Sequence, residues 1–117
     1  MGKPAFAYLL LKEHPYGREM LRQILSEGFV PSIIISEDSP IGDEEREKFL
    51  KRIQGLPIAP SIDFQLQELS NEGIEVIHET VSIHNSEQVM PLIKDIELDL
   101  IVFGGTLFVV LSQFTLG

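Results

Sequence analysis

The sequence contains no cysteine and few basic residues. Without cysteine, a disulfide framework, a thiolate nucleophile and a cysteine-ligated metal are all excluded. Nine lysines and arginines stand against eighteen aspartates and glutamates, which gives a net charge of −9 and an isoelectric point of about 4.6. This acidity disfavours a nucleic-acid partner, because phosphate backbones are bound through lysine and arginine.

Long apolar runs are also missing. No stretch reaches the roughly 18 apolar residues that a membrane-spanning helix needs. Lys3 and the apolar residues 5–11 resemble the start of a signal peptide, but they lead into KEHPYGREM rather than a small-residue cleavage site. Gly2 is followed by Phe6 where a myristoylation motif requires serine or threonine. We therefore expect a cytoplasmic chain without a membrane partner.

Several familiar functional motifs are absent as well. No G-x-G-x-x-G follows the first apolar segment, and the sequence has no P-loop, no G-x-S-x-G and no calcium-loop pattern. The three histidines, His14, His78 and His84, match no established ligand spacing, so we interpret them as surface or loop residues and expect no metal. His14 and His78 follow predicted strands, which would place both at one edge of a sheet.

Short apolar segments alternate with amphipathic stretches along the whole chain. The apolar segments predict strands at residues 5–11, 29–36, 74–78 and 99–105. The amphipathic stretches predict helices at residues 17–28, 43–55, 61–73 and 85–96; the first three end at glycine, and Ser86 is the expected N-cap of the fourth. This alternation predicts an α/β domain with an open, doubly wound parallel sheet of about four strands.

Right-handed crossovers place the first strand between the second and the fourth. Open sheets of this kind bind ligands where the strand order reverses, at the carboxyl ends of the strands. Two loops meet that condition: residues 12–17 after the first strand and residues 104–106 after the fourth. For Gly17 a simple turn is the favoured interpretation, and the pair Gly104 and Gly105 either admits a ligand to the backbone or releases the chain from the sheet.

The order of these segments resembles the amino-terminal half of the folate-dependent formyltransferases, the family of methionyl-tRNA and glycinamide-ribonucleotide formyltransferases. The likeness is carried by AFAYLLLKEHPYGREMLRQILSEGFVPSIIIS, by GIEVIHE and by NSEQVMPLIKDIELDLIVFGGT. It implies a Rossmann-like domain over residues 1–106, incomplete after the fourth strand. It also implies transfer of a formyl group from 10-formyltetrahydrofolate to an amine, and the acidity of the chain favours a small amine over tRNA.

The resemblance also implies site residues. Gly104, Gly105 and Thr106 would line the formyl-folate pocket, and His14, Tyr16 and Gly17 would lie near the formyl acceptor. No catalytic residue carries over, because the family's Asn-x-His arrangement is absent; His84 and Asn85 stand in reverse order and precede the fourth strand. We therefore predict that the 117-residue chain is inactive alone.

The last residues depart from the family pattern. Residues 107–117 form an apolar tail where the resemblance implies a basic residue and a short helix, which favours a truncated or frameshifted product. An uncovered fourth-strand edge, together with LFVVL at residues 107–111, favours self-association. The alternative function is a non-catalytic α/β module that binds a metabolite or a partner at residues 104–106.

Overall fold

A computed structural model of the protein describes residues 3–105. Strands and helices follow one another as β1 (Phe6–Leu11), α1 (Pro15–Ser26), β2 (Ile33–Glu37), α2 (Pro40–Arg52), α3 (Ile62–Asn71), β3 (Ile77–Val81), α4 (Ser86–Ile93) and β4 (Leu100–Gly104). All neighbouring strands are parallel, and their order across the sheet is β3-β2-β1-β4. The predicted fold class and strand order are therefore confirmed.

The sheet has an apolar core on each of its two faces. One core contains Phe6, Tyr8 and Leu10 of β1, Ile34 of β2, Leu21 of α1 and Ile62 of α3. The other contains Ala7 and Leu9 of β1, Ile33 and Ile35 of β2, Val81 of β3, and Val89 and Ile93 of α4. Because successive β1 side chains alternate between these cores, both faces of the central strand are buried. The helices on both faces confirm the predicted doubly wound, Rossmann-like arrangement.

The starts of α2 and α4 differ from the prediction because of their N-caps. α2 starts at Pro40 rather than at residue 43, because Ser39 accepts the Gly42 N–H at 3.0 Å and proline fits the first helical turn. The N-cap of α4 is Asn85 rather than Ser86; its side-chain oxygen accepts the Gln88 N–H at 3.0 Å. In both cases a capping side chain accepts a hydrogen bond from one of the free N–H groups at the start of the helix.

β2 and β3 begin at Ile33 and Ile77 rather than at residues 29 and 74, because the ends of the preceding helices include the residues in front of them. The N–H of Phe29 bonds to the carbonyl of Ile24, which closes α1. In the same way the N–H of Ile74 bonds to the carbonyl of Leu69 at 2.9 Å and closes α3. β3 consequently contains His78 as its second residue, so the expectation that His78 follows a strand at the same edge as His14 is wrong.

Part of the prediction concerns residues that the structure does not describe. Thr106 and the tail at 107–117 lie outside the described residues. Their expected roles in ligand binding and association therefore stay predictions. Among the helices within residues 3–105, none has both the length and the apolar character needed to cross a membrane.

Candidate binding site between the ends of β1 and β4

The carboxyl ends of β1 and β4 lie side by side. Leu9 is paired with Phe103, and Leu10 is paired with Gly104. β2 lies on the other side of β1, so the direction in which the sheet grows reverses between β1 and β4. This is the position at which open α/β sheets form a ligand crevice. The two loops singled out from the sequence therefore leave the sheet next to each other.

α1 begins almost immediately after β1 because three residues form a tight helix start. The ring nitrogen Nδ1 of His14 accepts the N–H of Tyr16 at 3.1 Å, which makes His14 the N-cap. Pro15 occupies the first helical position, where its missing N–H costs nothing. Tyr16 and Gly17 are thereby fixed in the first turn of α1, at the crevice.

α1 and β4 approach each other closely at Gly17 and Gly104. A Cβ atom on Gly17 would lie 2.8 Å from Cδ1 of Leu10 and 3.2 Å from the carbonyl oxygen of Gly104. A Cβ atom on Gly104 would overlap the hydroxyl of Tyr8. Both positions therefore require glycine for packing. The interpretation of Gly17 as a simple turn residue is incomplete.

Tyr8 joins these two glycines from inside the core. Its side chain is fully buried on the α1 face of the sheet, and its hydroxyl donates a 2.8 Å hydrogen bond to the carbonyl of Gly17. Burial raises the pKa of Tyr8, so the hydroxyl keeps its proton and remains a donor. Tyr8 was not recognised from the sequence, because a tyrosine within an apolar strand gives no signal of a specific partner.

Tyr16 and Gly105 form the mouth of the crevice. Gly105 has a φ of +77°, a conformation that favours glycine, and a Cβ atom there would lie 3.0 Å from Cδ1 of Tyr16. The Tyr16 ring is 51% exposed, so a ligand at the mouth can contact it. A cavity of about 480 Å³ lies beside the ring and is bordered by Pro15, Tyr16, Phe49, Ile53 and Ile58, among others. Its size is within the range of small-molecule sites.

His14 is a buried capping residue rather than a surface histidine. Its ring packs against the ring of Phe49, with 4.7 Å between the centroids. Burial lowers the pKa of His14, and nearby arginines lower it further, while Glu45 acts in the opposite direction. Since Nδ1 accepts a hydrogen bond, the neutral ring carries its proton on Nε2. The imidazole therefore serves as the N-cap of α1.

A charged contact that the sequence motifs did not reveal holds the loop after β1 against α3. Glu13 has a φ of 52°, and both of its carboxylate oxygens accept the N–H of Ile62 at 3.2 Å. One of these oxygens also lies 3.0 Å from Nε of Arg18. Glu13 thus connects the crevice loop, the first turns of α1 and the start of α3.

His84 and Glu37 form a second buried polar group, at the end of β2. Nε2 of His84 donates to the carbonyl of Ile35 at 2.9 Å, because a carbonyl oxygen can only accept. Glu37 accepts the backbone N–H of His84 at 3.0 Å and the hydroxyl of Ser39 at 2.8 Å. His84 lies in the loop between β3 and α4, as one of the two predicted alternatives has it, but only 1% of it is exposed, so it is not a surface residue. Burial is the largest influence on its pKa and lowers it.

The third histidine, His78, lies apart from both of these groups. His78 lies on β3, where its Nε2 is 2.8 Å from the hydroxyl oxygen of Ser36 and its Nδ1 is 3.5 Å from a carboxylate oxygen of Asp63. Within residues 3–105, no three histidine, aspartate or glutamate side chains are grouped so that they could hold a metal ion.

Within the described crevice, Tyr16 and Gly105 are exposed, whereas Gly17 and Gly104 are buried against Leu10 and Tyr8. Gly17, Gly104 and Gly105 expose no functional group of their own, and the ring of His14 is used as a cap. Comparisons of the chain with models of protein families, with curated proteins and with solved structures gave no match.

Proposed function

We propose that the chain is a formyltransferase-like α/β domain that binds 10-formyltetrahydrofolate at the crevice between β1 and β4. The observation that carries this proposal is the contact of the two segments named by the resemblance. Gly17 and Tyr16 of one segment lie directly against Gly104 and Gly105 of the other. Thr106, the third proposed folate contact, follows them in the chain.

The chemistry of the crevice suits the proposed donor. Folate is a long molecule with flat rings, and the exposed backbone of Gly105 lets such a ring approach the main chain closely. Tyr16 supplies an exposed aromatic surface for stacking. The cavity beside Tyr16 leaves room for a small amine acceptor near the loop of His14. The net charge of −9 favours such an acceptor over tRNA.

We infer binding without turnover for this chain. Formyl transfer needs a base that manages the protons of the attacking amine and donors that stabilise the developing oxyanion. The sequence has no Asn-x-His, and Nδ1 of His14 already accepts the N–H of Tyr16. The same observations favour the second candidate, a non-catalytic module that binds a different metabolite or a partner in the same crevice.

Calorimetric titration with a stable 10-formyl folate analogue tests the proposal. We expect saturable binding that is weakened at least about fivefold by Tyr16→Ala, since stacking on one aromatic ring contributes on the order of 1 kcal/mol. Phe64→Ala is the matched control, because Phe64 is an aromatic residue of similar exposure, 53%, on α3. No binding by the folded chain, or equal loss in both variants, would overturn folate binding at this crevice.

A parallel assay separates the two candidates. The folded chain is incubated with 10-formyltetrahydrofolate and a panel of small amines, and formation of the formylated amine is measured. Turnover clearly above the buffer rate would contradict the inference of inactivity. Saturable binding of another metabolite, abolished by Tyr16→Ala and without affinity for folate, would support the non-catalytic module.

A further inference from the structure

The outer edge of β4 is suited to pairing with a further strand. Within residues 3–105, β4 has a neighbour only on its β1 side. Leu100–Gly104 contains neither a charged residue nor proline, and its first four side chains are only partly buried or exposed. Edge strands normally carry charges or proline that prevent pairing. β3, at the opposite edge, does include His78 and Glu79.

The backbone of β4 presents hydrogen-bonding groups outward. The N–H of Asp99 donates to the carbonyl of Ala5 at 2.7 Å, so Asp99 points toward β1. Alternation along a strand then turns Val102 and Gly104 away from β1. The N–H of Leu100 still bonds to the carbonyl of Ala5 at 3.4 Å, so Leu100 offers a further strand only its C=O, whereas Val102 and Gly104 offer both backbone groups.

Both faces of the sheet remain apolar up to this edge. On the α1 face, an open cavity of about 250 Å³ is lined by Pro4, Phe6, Met20, Ile24, Phe29, Leu100 and Val102. On the α4 face, Ile101 and Phe103 pack against the core but stay partly exposed. Apolar side chains on both faces are typical of a strand inside a sheet rather than at its edge.

We propose that two copies of the chain pair antiparallel through β4, around a twofold axis at Val102, so that the four described strands of each copy form one continuous sheet. This register makes the strand complementary to itself. Leu100 faces Gly104 of the second copy, where no side chain competes for space. Ile101 faces Phe103 of the second copy, a β-branched and aromatic pair of the kind that stabilises sheets.

Charge is consistent with this register. The nearest acidic residue, Asp99, precedes β4, so the two copies place their Asp99 residues at opposite ends of the paired strands. The carboxylate of Asp99 also accepts the N–H of Ala5 of the same chain at 2.8 Å. The net charge of −9 opposes association at long range, so salt should strengthen the dimer by screening.

The size of the interface indicates a weak dimer. Two paired five-residue strands are only about 17 Å long, and the groove beside them is small. Such a contact falls short of the roughly 800 Å² per partner of a standard interface. Association is therefore expected at micromolar concentrations or above. The inference does not depend on folate binding.

Disulfide trapping tests the register directly, because the chain has no cysteine of its own. In Val102→Cys the two introduced residues meet at the axis with Cα atoms about 5.5 Å apart, within disulfide range. In Leu100→Cys they are separated by four residues along the strand, roughly 13 Å, which is too far. Thr80→Cys, exposed on β3, is the control for random collision.

We expect mild oxidation to yield disulfide-linked dimer from Val102→Cys at least about fivefold faster than from Leu100→Cys or Thr80→Cys. Equal rates for all three variants would overturn the proposal. It would also be overturned if Val102→Cys formed no dimer and its thiol failed to react with maleimide in the folded chain, since another segment would then cover the edge.

A second measurement uses charge instead of cysteine. Val102→Lys should raise the dimer dissociation constant at least about tenfold in sedimentation equilibrium, whereas Thr80→Lys should leave it unchanged. Circular dichroism confirms that both variants are folded. A wild-type chain that remains monomeric at millimolar concentration and high salt, or equal effects of the two lysines, would refute pairing through β4.

Discussion

The hydroxyl of Tyr8 donates a hydrogen bond to the carbonyl of Gly17 and fills the space in which a side chain on Gly104 would lie. One buried polar atom thus connects the central strand, the first turn of α1 and the end of β4. Because the hydroxyl is enclosed, any change at these positions acts on all three elements at once. The first two predictions follow from this contact.

Gly104→Ala should destabilise the fold by about 2–3 kcal/mol, the usual cost of forcing extra volume into a packed core. The added methyl overlaps the Tyr8 hydroxyl and cannot be accommodated without moving the ring. Urea unfolding followed by circular dichroism measures the change. Gly73→Ala is the control, since nothing lies within 4 Å of the Cβ position there and only the backbone conformation is strained. An equal or smaller loss in Gly104→Ala would contradict the packing argument.

Tyr8→Phe should cost about 1–2 kcal/mol, because the buried carbonyl of Gly17 loses its side-chain donor. The same substitution should make Gly104→Ala less harmful, since the atom nearest to the added methyl has been removed. A double-mutant cycle in urea measures this coupling, which we expect to exceed about 0.5 kcal/mol. Strictly additive effects of the two substitutions would show that the two residues do not share one space.

Stability should fall as the solution is acidified below the pKa of a histidine in the unfolded chain, about 6.5. Burial lowers the pKa of both His14 and His84 in the folded state, so the unfolded chain binds more protons in this range. The loss continues until the pH reaches the lowered folded values and then levels off. Unfolding free energies measured in urea between pH 8 and pH 5 (~1 unit steps) give the slope, whose limit is about 1.4 kcal/mol per pH unit for each histidine.

His84→Gln separates the contribution of His84 from that of His14. This variant should show a shallower pH dependence than the wild type in the same range, whatever its absolute stability. A free energy of unfolding that stays constant or rises between pH 7 and pH 5.5 (a window of ~1.5 units) would contradict the prediction, since neutral buried histidines can only lose stability there.

Glu13→Ala should destabilise the fold by about 1–2 kcal/mol, comparable to the loss of a helix cap. It removes the acceptor of the Ile62 N–H at the start of α3 and leaves Arg18 without its carboxylate. Glu19→Ala is the matched control, because Glu19 also pairs with an arginine, Arg22, but does so on the surface. The control should not shift the urea midpoint measurably. Equal shifts in the two variants would mean that Glu13 acts only as another surface charge.

The strand order and the meeting of the two crevice loops were predictable, because they follow from apolar segments, glycine-terminated helices and right-handed crossovers. These features depend on residue type and spacing alone. The positions of β2 and β3 were not predictable to the residue. Ile74 has a strand-like side chain, yet its N–H bond to Leu69 makes it part of the end of α3.

The polar contacts behind the crevice were beyond sequence reasoning for a different reason. Glu13 and Ile62 are 49 positions apart, and so are His84 and Ile35. No local pattern relates such residues; only the completed sheet brings them together. His84 also has polar neighbours in the sequence, Asn85 and Ser86, which favour a loop at the surface even though the imidazole is enclosed.

The aromatic composition gives the crevice a built-in optical reporter. The chain has no tryptophan and two tyrosines, Tyr8 behind the crevice and Tyr16 at its mouth. Nearly all intrinsic fluorescence of the protein therefore originates from two rings that lie against Gly104 and Gly105. Since these glycines stand at the end of β4, the emission of the two rings distinguishes a crevice in which β4 is docked from one in which it is not.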